Sequence, residues 1–193
     1  MFTNKYPVFI LDNFLSESDN HKLIRETIDK SASFIQKTND PKYPKQLGWG
    51  SQQGFELWKS NIAGNIITYM REVLTELKIL SLNFGEIEIS HNAYQNQGFL
   101  SIHEDKSYRR SRKITFVYYY HIIPKSFTGG QLLVYQSSDL SDINTYSVPA
   151  LIVEPLNNRC VFFASEAYHE VLPVKCEDFK SSRFSFSGWI NEA

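Results

Sequence analysis

The segment "SIHEDKS", residues 101–107, holds one of only five histidines in a chain of 193 residues. It is typical of a β-strand, in which the side chains at positions i and i+2 point to the same face. His103 and Asp105 should therefore project together, while Ile102 and Glu104 project to the opposite face. An imidazole and a carboxylate on one face supply two of the three protein ligands that an open metal site needs.

A third ligand is predicted at His169, which begins an apolar strand in the segment "ASEAYHEVLPV". Two histidines and one carboxylate are the protein ligands of non-haem Fe(II) oxygenase sites, and they leave coordination positions open for a chelating cosubstrate and O₂. Neutral imidazoles suit a borderline metal ion, and one carboxylate offsets part of its charge. The alternative is that each histidine is a hydrogen-bonded core residue, which is the commoner role of a lone histidine on a strand.

The segment "SSRFSFSGWI" alternates polar and aromatic side chains, so Arg183, Ser185 and Ser187 should share one face of a strand. An arginine that faces the inside of a barrel is unfavourable unless it meets an anion. A carboxylate fits the planar guanidinium better than it fits the ammonium of lysine. Arg183 is therefore a candidate anion-binding residue, and the alternative is a surface arginine on an edge strand.

Two helices come before the strands that would carry these residues. The first is predicted over residues 14–31, with Ser16 as its N-cap, and the second over 55–80, where apolar residues recur at spacings of three and four. Residues 38–54 are rich in Pro, Gly and polar residues and are predicted to be a loop. After residue 83 the pattern changes to that of short strands. The predicted strands are 85–94, 99–105, 113–121, 130–136, 146–153, 159–164, 169–175 and 183–190.

This order of elements predicts an α+β fold in a single domain over residues 1–193. Residues 84–193 would form a sandwich or barrel, and eight strands is the count of a double-sheet jelly roll, the cupin-like double-stranded β-helix. Residues 1–80 would form a helical support packed on its major sheet. Gly129 and Gly130 are predicted to form a turn into a strand with positive φ at one or both positions.

Composition limits the classes of partner. The net charge of −1 argues against direct binding of nucleic acid, and no apolar run is long enough to span a bilayer. With two cysteines and no secretory signal visible in the N-terminal segment, we expect reduced thiols and a cytoplasmic protein. Residues 106–113 hold five basic residues among eight. We expect a solvated loop there, with a rim for an acidic partner as the alternative.

The motifs together resemble the Fe(II)- and 2-oxoglutarate-dependent oxygenases, specifically the prolyl-hydroxylase branch. The similar segments are "HED" (103–105), "KITFVYYYHIIPKSFTGGQLLVY" (113–135), "VFFASEAYHEVLPV" (161–174) and "SRFSFSGWI" (182–190), with "PVFILDNFLSESD" (7–19) fitting a lead-in strand and helix. Bacterial proline 4-hydroxylases look the most similar, and the ribosomal-protein prolyl hydroxylases share the last motif. The intact Asp105 departs from the halogenases of this family, which have a small residue there.

The resemblance implies that His103, Asp105 and His169 bind Fe(II) and that Arg183 binds the distal carboxylate of the cosubstrate 2-oxoglutarate. It further implies that Ser185 and a tyrosine of the "YYY" strand contact the same carboxylate, and the strand alternation favours Tyr119 over its two neighbours. Tyr94 matches a tyrosine that borders the cosubstrate pocket. For both tyrosines the alternative is core packing. O₂ would be the second cosubstrate, and ascorbate is included as an accessory reductant.

The reaction implied is hydroxylation of a C–H bond, with release of succinate and CO₂. A prolyl residue in a protein or peptide is the leading substrate by resemblance, and a free amino acid or a biosynthetic small molecule is the alternative. Specificity is expected from the loop 38–54, with Tyr43, Trp49 and the nearby Trp58, and from the basic loop after Asp105. A hypothesis of another class is a non-catalytic, cupin-like binding module.

Overall fold

Two antiparallel β-sheets face each other, and two α-helices cover the larger sheet. The computed structural model describes residues 5–37, 45–53, 56–136 and 150–193. The helices are α1 (Glu17–Asp29) and α2 (Glu56–Glu76). The strands are β1 (Phe9–Asp12), β2 (Ile35–Gln36), β3 (Gln46–Leu47), β4 (Trp49–Ser51), β5 (Phe84–Tyr94), β6 (Phe99–His103), β7 (Arg112–Tyr120), β8 (Thr128–Gly129), β9 (Leu132–Tyr135), β10 (Ala150–Val153), β11 (Arg159–Ala164), β12 (His169–Val171), β13 (Val174–Lys175) and β14 (Arg183–Glu192).

The larger sheet has seven strands in the order β1-β11-β7-β14-β5-β4-β2. The smaller one has five, in the order β10-β9-β12-β6-β3, and β13 pairs with β8 in a separate ribbon. Neighbours in space are mostly distant in sequence, as in a jelly roll, and the lead-in strand β1 completes one edge of the large sheet. The predicted α+β jelly roll with helices on its major sheet is confirmed.

Strict alternation along β7 divides the core into two layers. Its residues Ile114, Phe116, Tyr118 and Tyr120 are buried against the helices, together with Leu23 of α1 and Ile66 of α2. The residues between them point the other way: Val117 and Tyr119 pack between the two sheets with apolar residues of the small sheet. Because both faces of the large sheet are covered, its central strands are aromatic-rich on one side and can carry functional groups on the other.

Helix α1 begins where the sequence predicts. The hydroxyl of Ser16 accepts a hydrogen bond of 3.1 Å from the backbone N–H of Asp19, which satisfies one of the free donors of the first turn. Leu23 and Ile24 form the buried stripe of this helix. Helix α1 is three residues shorter at its start and two at its end than predicted, and α2 ends four residues earlier than predicted, as is usual for helix boundaries inferred from periodicity.

Three local predictions are wrong. The predicted loop 38–54 contains β3 and β4, which add to the edges of the two sheets through backbone pairing with β6 and β5. These strands lack apolar alternation, so their sequence carries no strand signal. The strand predicted to reach Asp105 ends at His103. The strand predicted over 169–175 is divided into β12 and β13, and Pro173, which has no N–H to donate, lies between them.

The packing of α2 on the large sheet supplies a matched test of the helix-side core. Ile66 is fully buried, whereas its neighbour Ile67 is 60% exposed. We expect Ile66→Ala to lower the free energy of unfolding by about 2–5 kcal/mol, because it leaves a cavity against the sheet. Ile67→Ala should change it by less than about 0.5 kcal/mol. Urea denaturation followed by circular dichroism measures both values, and equal effects would contradict this packing.

Candidate functional site

Three side chains with metal-binding atoms meet inside the barrel. His103, at the end of β6, and His169, at the start of β12, are paired across the small sheet. Asp105 lies in the bend after β6. Its carboxylate oxygens are 3.6 Å from Nε2 of His103 and 3.4 Å from Nε2 of His169. The ligand atoms of all three residues lie within 4.8 Å of one another, so one ion could contact all of them.

The orientation of both imidazoles is set by backbone carbonyls. Nδ1 of His103 is 2.9 Å from the carbonyl oxygen of Ser101, and Nδ1 of His169 is 2.9 Å from that of Ala167. Each Nδ1 therefore carries a proton that it donates, and each Nε2 faces the carboxylate of Asp105. Burial lowers the pKa of His169 to about 4, with a further contribution from His103, so His169 is neutral at neutral pH.

Asp105 is held by partners that sequence reasoning missed. Thr115 on β7 donates a hydrogen bond of 2.7 Å to its carboxylate, and the hydroxyls of Thr115 and Ser165 are 3.0 Å apart. The backbone N–H of Asp105 donates to the carbonyl of Ser165 at 3.0 Å. Burial alone would raise the pKa of Asp105, but His169, His103 and the Thr115 hydrogen bond together bring it below its ordinary value. The sequence signal that could have identified Thr115 is its place on the inward face of β7.

Two imidazole nitrogens and a carboxylate thus converge in a buried space. This arrangement is unfavourable by itself and favourable around a cation, so the residues present fit a divalent metal ion. Nitrogen and oxygen ligands in this ratio suit Fe(II) better than the all-oxygen ligands that Mg²⁺ and Ca²⁺ prefer. The structure thus brings together the three ligands predicted from sequence, although Asp105 arrives from a bend and not from the strand.

Arg183, the first residue of β14, is 1% exposed and lies inside the same barrel. Its Nε donates a hydrogen bond of 2.8 Å to the carbonyl oxygen of Gly130, and its Nη1 lies 3.5 Å from the hydroxyl of Ser185. Its Nη2 is buried and makes no hydrogen bond to the described residues. No described carboxylate forms an ion pair with this guanidinium, so the site fits a small carboxylate ligand.

Two tyrosines line the guanidinium of Arg183. Its Cζ atom is 5.0 Å from the ring centre of Tyr94 and 4.7 Å from that of Tyr119. The hydroxyl of Tyr119 is buried without a well-formed hydrogen bond to the described residues. Burial raises the pKa of Tyr119 to about 12 and also raises the pKa of Tyr94. Both hydroxyls therefore remain protonated and can donate hydrogen bonds to an anion next to Arg183.

The double glycine allows the backbone to approach Arg183. Gly129 and Gly130 both have positive φ, +74° and +72°, as the sequence predicted for this turn. A Cβ atom on Gly130 would lie 2.6 Å from Cδ of Arg183, which is too close for any side chain at position 130. The same turn directs the Gly130 carbonyl toward the Arg183 Nε. Glycine is required here both by conformation and by contact.

Two adjoining cavities share the walls formed by His103 and Asp105. The inner one, of about 50 Å³, is lined by apolar side chains such as Val117 and Leu132 and ends at Arg183. The outer one, of about 220 Å³, opens toward solvent. Its remaining walls include Lys37, Gln46, Ser90, Asn92, Tyr108 and Arg112. Ser187 and Trp189, which continue the inward row of β14, line both cavities.

The residues expected to set specificity are only partly at this site. Trp58 is buried in the helix-side core, as its helical position favoured, and Trp49 packs against the same core. Tyr43 lies outside the described residues. Four residues of the basic run 106–113 form ion pairs with acidic residues, which fits the solvated-loop interpretation. Those pairs are Lys106 with Glu166, Arg109 with Glu86 and Glu88, Arg112 with Glu88, and Lys113 with Glu192.

A jelly roll with an internal His-Asp-His cluster beside a buried arginine defines a class of metal-dependent proteins, and comparison with known proteins identifies the family. The sequence profile of the 2OG-Fe(II) oxygenase superfamily matches residues 89–191. The chain belongs to this family, as its motifs predicted. The family takes its name from 2-oxoglutarate and Fe(II), and the donor set and the buried guanidinium fit both.

The chain is also similar to particular proteins. It is 32% identical to the uncharacterized PKHD-type hydroxylase sll0191 of Synechocystis over 94% of its own length, but it spans only 62% of that relative. It superposes with a TM-score of 0.66 on a prolyl-4-hydroxylase of Pseudomonas putida, at 20% identity, covering 97% of this chain and 94% of the other. A prolyl hydroxylase of Trichoplax adhaerens, solved with a hypoxia inducible factor peptide, gives 0.66 at 16% identity, over 98% and 84%.

Neither α1 nor α2, nor any other helix in the described part of the chain, is both long and apolar enough to cross a bilayer.

Metal binding tests the cluster directly. We expect His103→Ala to weaken binding of Co(II) by more than about 100-fold, since even residues that only orient a ligand are worth 10–100-fold. Thr115→Val, which keeps the shape but removes the hydrogen bond to Asp105, should weaken it by about tenfold. Anaerobic calorimetric titration measures these affinities. His21→Ala, on the exposed face of α1, is the control, and equal affinity of the His103 variant would refute the cluster as the metal site.

Proposed function

We propose that this chain is an Fe(II)- and 2-oxoglutarate-dependent dioxygenase that hydroxylates a C–H bond of a prolyl residue in a protein or peptide. The observation that carries the proposal is the placement of a buried arginine, without an anionic partner among the described residues, in the same cavity as the His-Asp-His cluster. A metal site alone would suit many functions. A metal site beside a carboxylate receptor suits a dicarboxylate cosubstrate.

In this proposal His103, Asp105 and His169 would hold the metal ion. Arg183 binds the distal carboxylate of 2-oxoglutarate, and the hydroxyls of Tyr119 and Ser185 donate to the same group. Tyr94 lines the same cavity beside Arg183. Apolar residues of the inner cavity, Val117 and Leu132 among them, exclude water around the cosubstrate.

Fe(II) with 2-oxoglutarate, when bound, supplies the oxidising chemistry, in which one oxygen atom of O₂ enters the C–H bond and the other enters succinate as CO₂ is released. The contribution of the chain is positioning and not proton transfer. The raised pKa of Tyr119 makes it a hydrogen-bond donor and a poor base at neutral pH. Ascorbate would serve as an accessory reductant.

The prolyl substrate is supported by the names of the similar proteins, two of which are solved prolyl hydroxylases. A free amino acid or another small molecule stays the alternative substrate. A single oxygenase domain is supported by the core in which α1 and α2 pack on the large sheet. A cytoplasmic location is supported by Cys160 and Cys176, which are free thiols.

Cosubstrate binding separates the enzyme from a non-catalytic binding module. Anaerobic Fe(II) plus 2-oxoglutarate should give a weak visible charge-transfer band in the parent protein. We expect Arg183→Met to lower the affinity for 2-oxoglutarate by about 100-fold, because a charge-assisted double hydrogen bond is lost. Arg183→Lys should retain part of the affinity and controls for folding. Arg25→Met, exposed on α1, should match the parent, and a parent protein without the band would refute the proposal.

Product analysis tests the substrate. Incubation of the Fe(II)-loaded protein with 2-oxoglutarate, air and prolyl peptides should yield succinate and a mass increase of about 16 on the peptide, as one oxygen atom is inserted. Free L-proline and other free amino acids form the second arm. Succinate release with free amino acids but with none of the peptides would transfer the assignment to the small-molecule alternative. His103→Ala should form neither product, and turnover by that variant would refute the ligand assignment.

A further inference from the structure

A second cationic side chain stands beside the metal cluster, and the proposed chemistry does not use it. Lys37 borders the outer cavity, whereas Arg183 borders the inner one, and the two cavities share His103 and Asp105. The cosubstrate carboxylate has its receptor in Arg183. The positive charge of Lys37 therefore faces the part of the site that is left for the molecule to be oxidised.

The local backbone holds Lys37 in place. Its N–H donates a hydrogen bond of 2.9 Å to the carbonyl oxygen of Gly48, directly after the pairing of β2 with β4. Its stem crosses Gly50 so closely that a Cβ atom there would lie 2.7 Å from Cε of Lys37. The side chain thus runs along the backbone of β4 toward the cavity, and any larger residue at position 50 would obstruct it.

Within the described part of the chain, the ammonium group of Lys37 has only a neutral partner. It donates a hydrogen bond to Oδ1 of Asn92, and the amide nitrogen of Asn92 donates 2.8 Å to the hydroxyl of Ser187 and 3.2 Å to the carbonyl of Ser90. These contacts fix the asparagine and bring no negative charge. Among the described residues, no carboxylate forms an ion pair with Lys37. Burial lowers the pKa of this amine, as expected where no anion compensates it.

The other charged side chains that line the outer cavity have partners that offset their charge or belong to the metal cluster. Arg112 makes hydrogen bonds of 2.7 Å and 3.2 Å with Glu88 and stacks on the ring of Trp189 at 3.6 Å. Asp105 belongs to the metal cluster. Lys37 is thus the charged wall residue, within the described part of the chain, whose charge is not balanced by a neighbour.

We propose that Lys37 is a specificity residue that binds a carboxylate of the substrate, close to the C–H bond that is oxidised. An ammonium held against an asparagine at the edge of a cavity can accept a carboxylate as its second partner, and the desolvated setting strengthens that pair. This inference rests on the proposed function, because it takes the outer cavity to be the substrate site. The carboxylate can come from a free or C-terminal amino acid or from an acidic side chain next to the target residue.

Ligand-observed NMR with the Mn(II)- and 2-oxoglutarate-loaded full chain tests this without knowledge of the natural substrate. Mn(II) at the cluster broadens the proton signals of small molecules that bind in the outer cavity, even weakly. The probes are matched pairs with and without a carboxylate: L-proline and L-prolinamide, N-acetyl-L-alanine and its amide, and N-acetyl-Asp-Pro-amide and N-acetyl-Asn-Pro-amide. The first two pairs present a terminal carboxylate, and the third presents a side-chain carboxylate.

We expect the carboxylate member of at least one pair to bind about tenfold more tightly than its neutral partner. Lys37→Met should abolish that preference, and Lys37→Arg should keep most of it. Lys180→Met, which removes an exposed lysine, is the matched control. The inference is overturned if carboxylate and neutral members bind alike or not at all to the parent protein, or if the preference survives in Lys37→Met. Retained 2-oxoglutarate affinity shows that the variants are folded.

The same samples separate this inference from the proposed function. Carboxylate binding that depends on Lys37, without an oxygenated product from any prolyl probe, would reject the prolyl substrate and leave the role of Lys37 in place. Oxygenated prolyl products that form equally with and without the carboxylate would support the prolyl substrate and reject the role of Lys37.

Discussion

The structure depends on a few polar groups that the barrel buries close together at one site. Two imidazoles and a carboxylate converge at the mouth of the small sheet, and a guanidinium lies between the sheets with one nitrogen that makes no hydrogen bond to the described residues. Each arrangement is unfavourable in a dry interior. A cation would stabilise the His-Asp-His cluster, and a carboxylate would stabilise the guanidinium. Bound ligands can therefore offset the unfavourable free energy of burying these groups.

The jelly roll tolerates this buried polar site because the two faces of the large sheet have different roles. The helix-facing side of β7 and β14 packs Phe116, Tyr118, Phe184 and Phe186 against α1 and α2. The inward side of the same strands carries Thr115, Tyr119 and Arg183. Because side chains alternate along each strand, packing on one face of β7 and β14 also positions the functional groups on the other face.

Charge organises the two cavities differently. The inner cavity ends at Arg183 with apolar walls, and the outer one combines neutral polar groups with Lys37. The basic run after Asp105 could be taken from sequence as a docking surface, but four of its residues form ion pairs with Glu86, Glu88, Glu166 and Glu192. Among the described residues, Arg183 and Lys37 thus carry positive charge that no carboxylate balances inside the cavities, whereas four of the five basic residues of the run 106–113 are paired.

Sequence alone determined those features that repeat locally or carry a motif. Alternation placed Arg183 and Ser185 on one face, identified Tyr119 among three tyrosines, and located the helices to within a few residues. The His-x-Asp spacing identified two members of the cluster, although the strand assumed to join them ends at His103. These properties depend on neighbours along the chain, and a strand or helix period is visible without a fold.

Only the tertiary structure could decide the rest. Thr115 on β7 and Ser165 in the turn after β11 support Asp105 through contacts between distant parts of the chain, and nothing about their residue types marks them. Gly130 contacts Arg183 across 53 positions of sequence. Lys37 reaches the site because β2, β3 and β4, which have no strand pattern, pair with the edges of the two sheets. Edge pairing is made by backbone hydrogen bonds, which any sequence can form, so its location is set by the sheets already present.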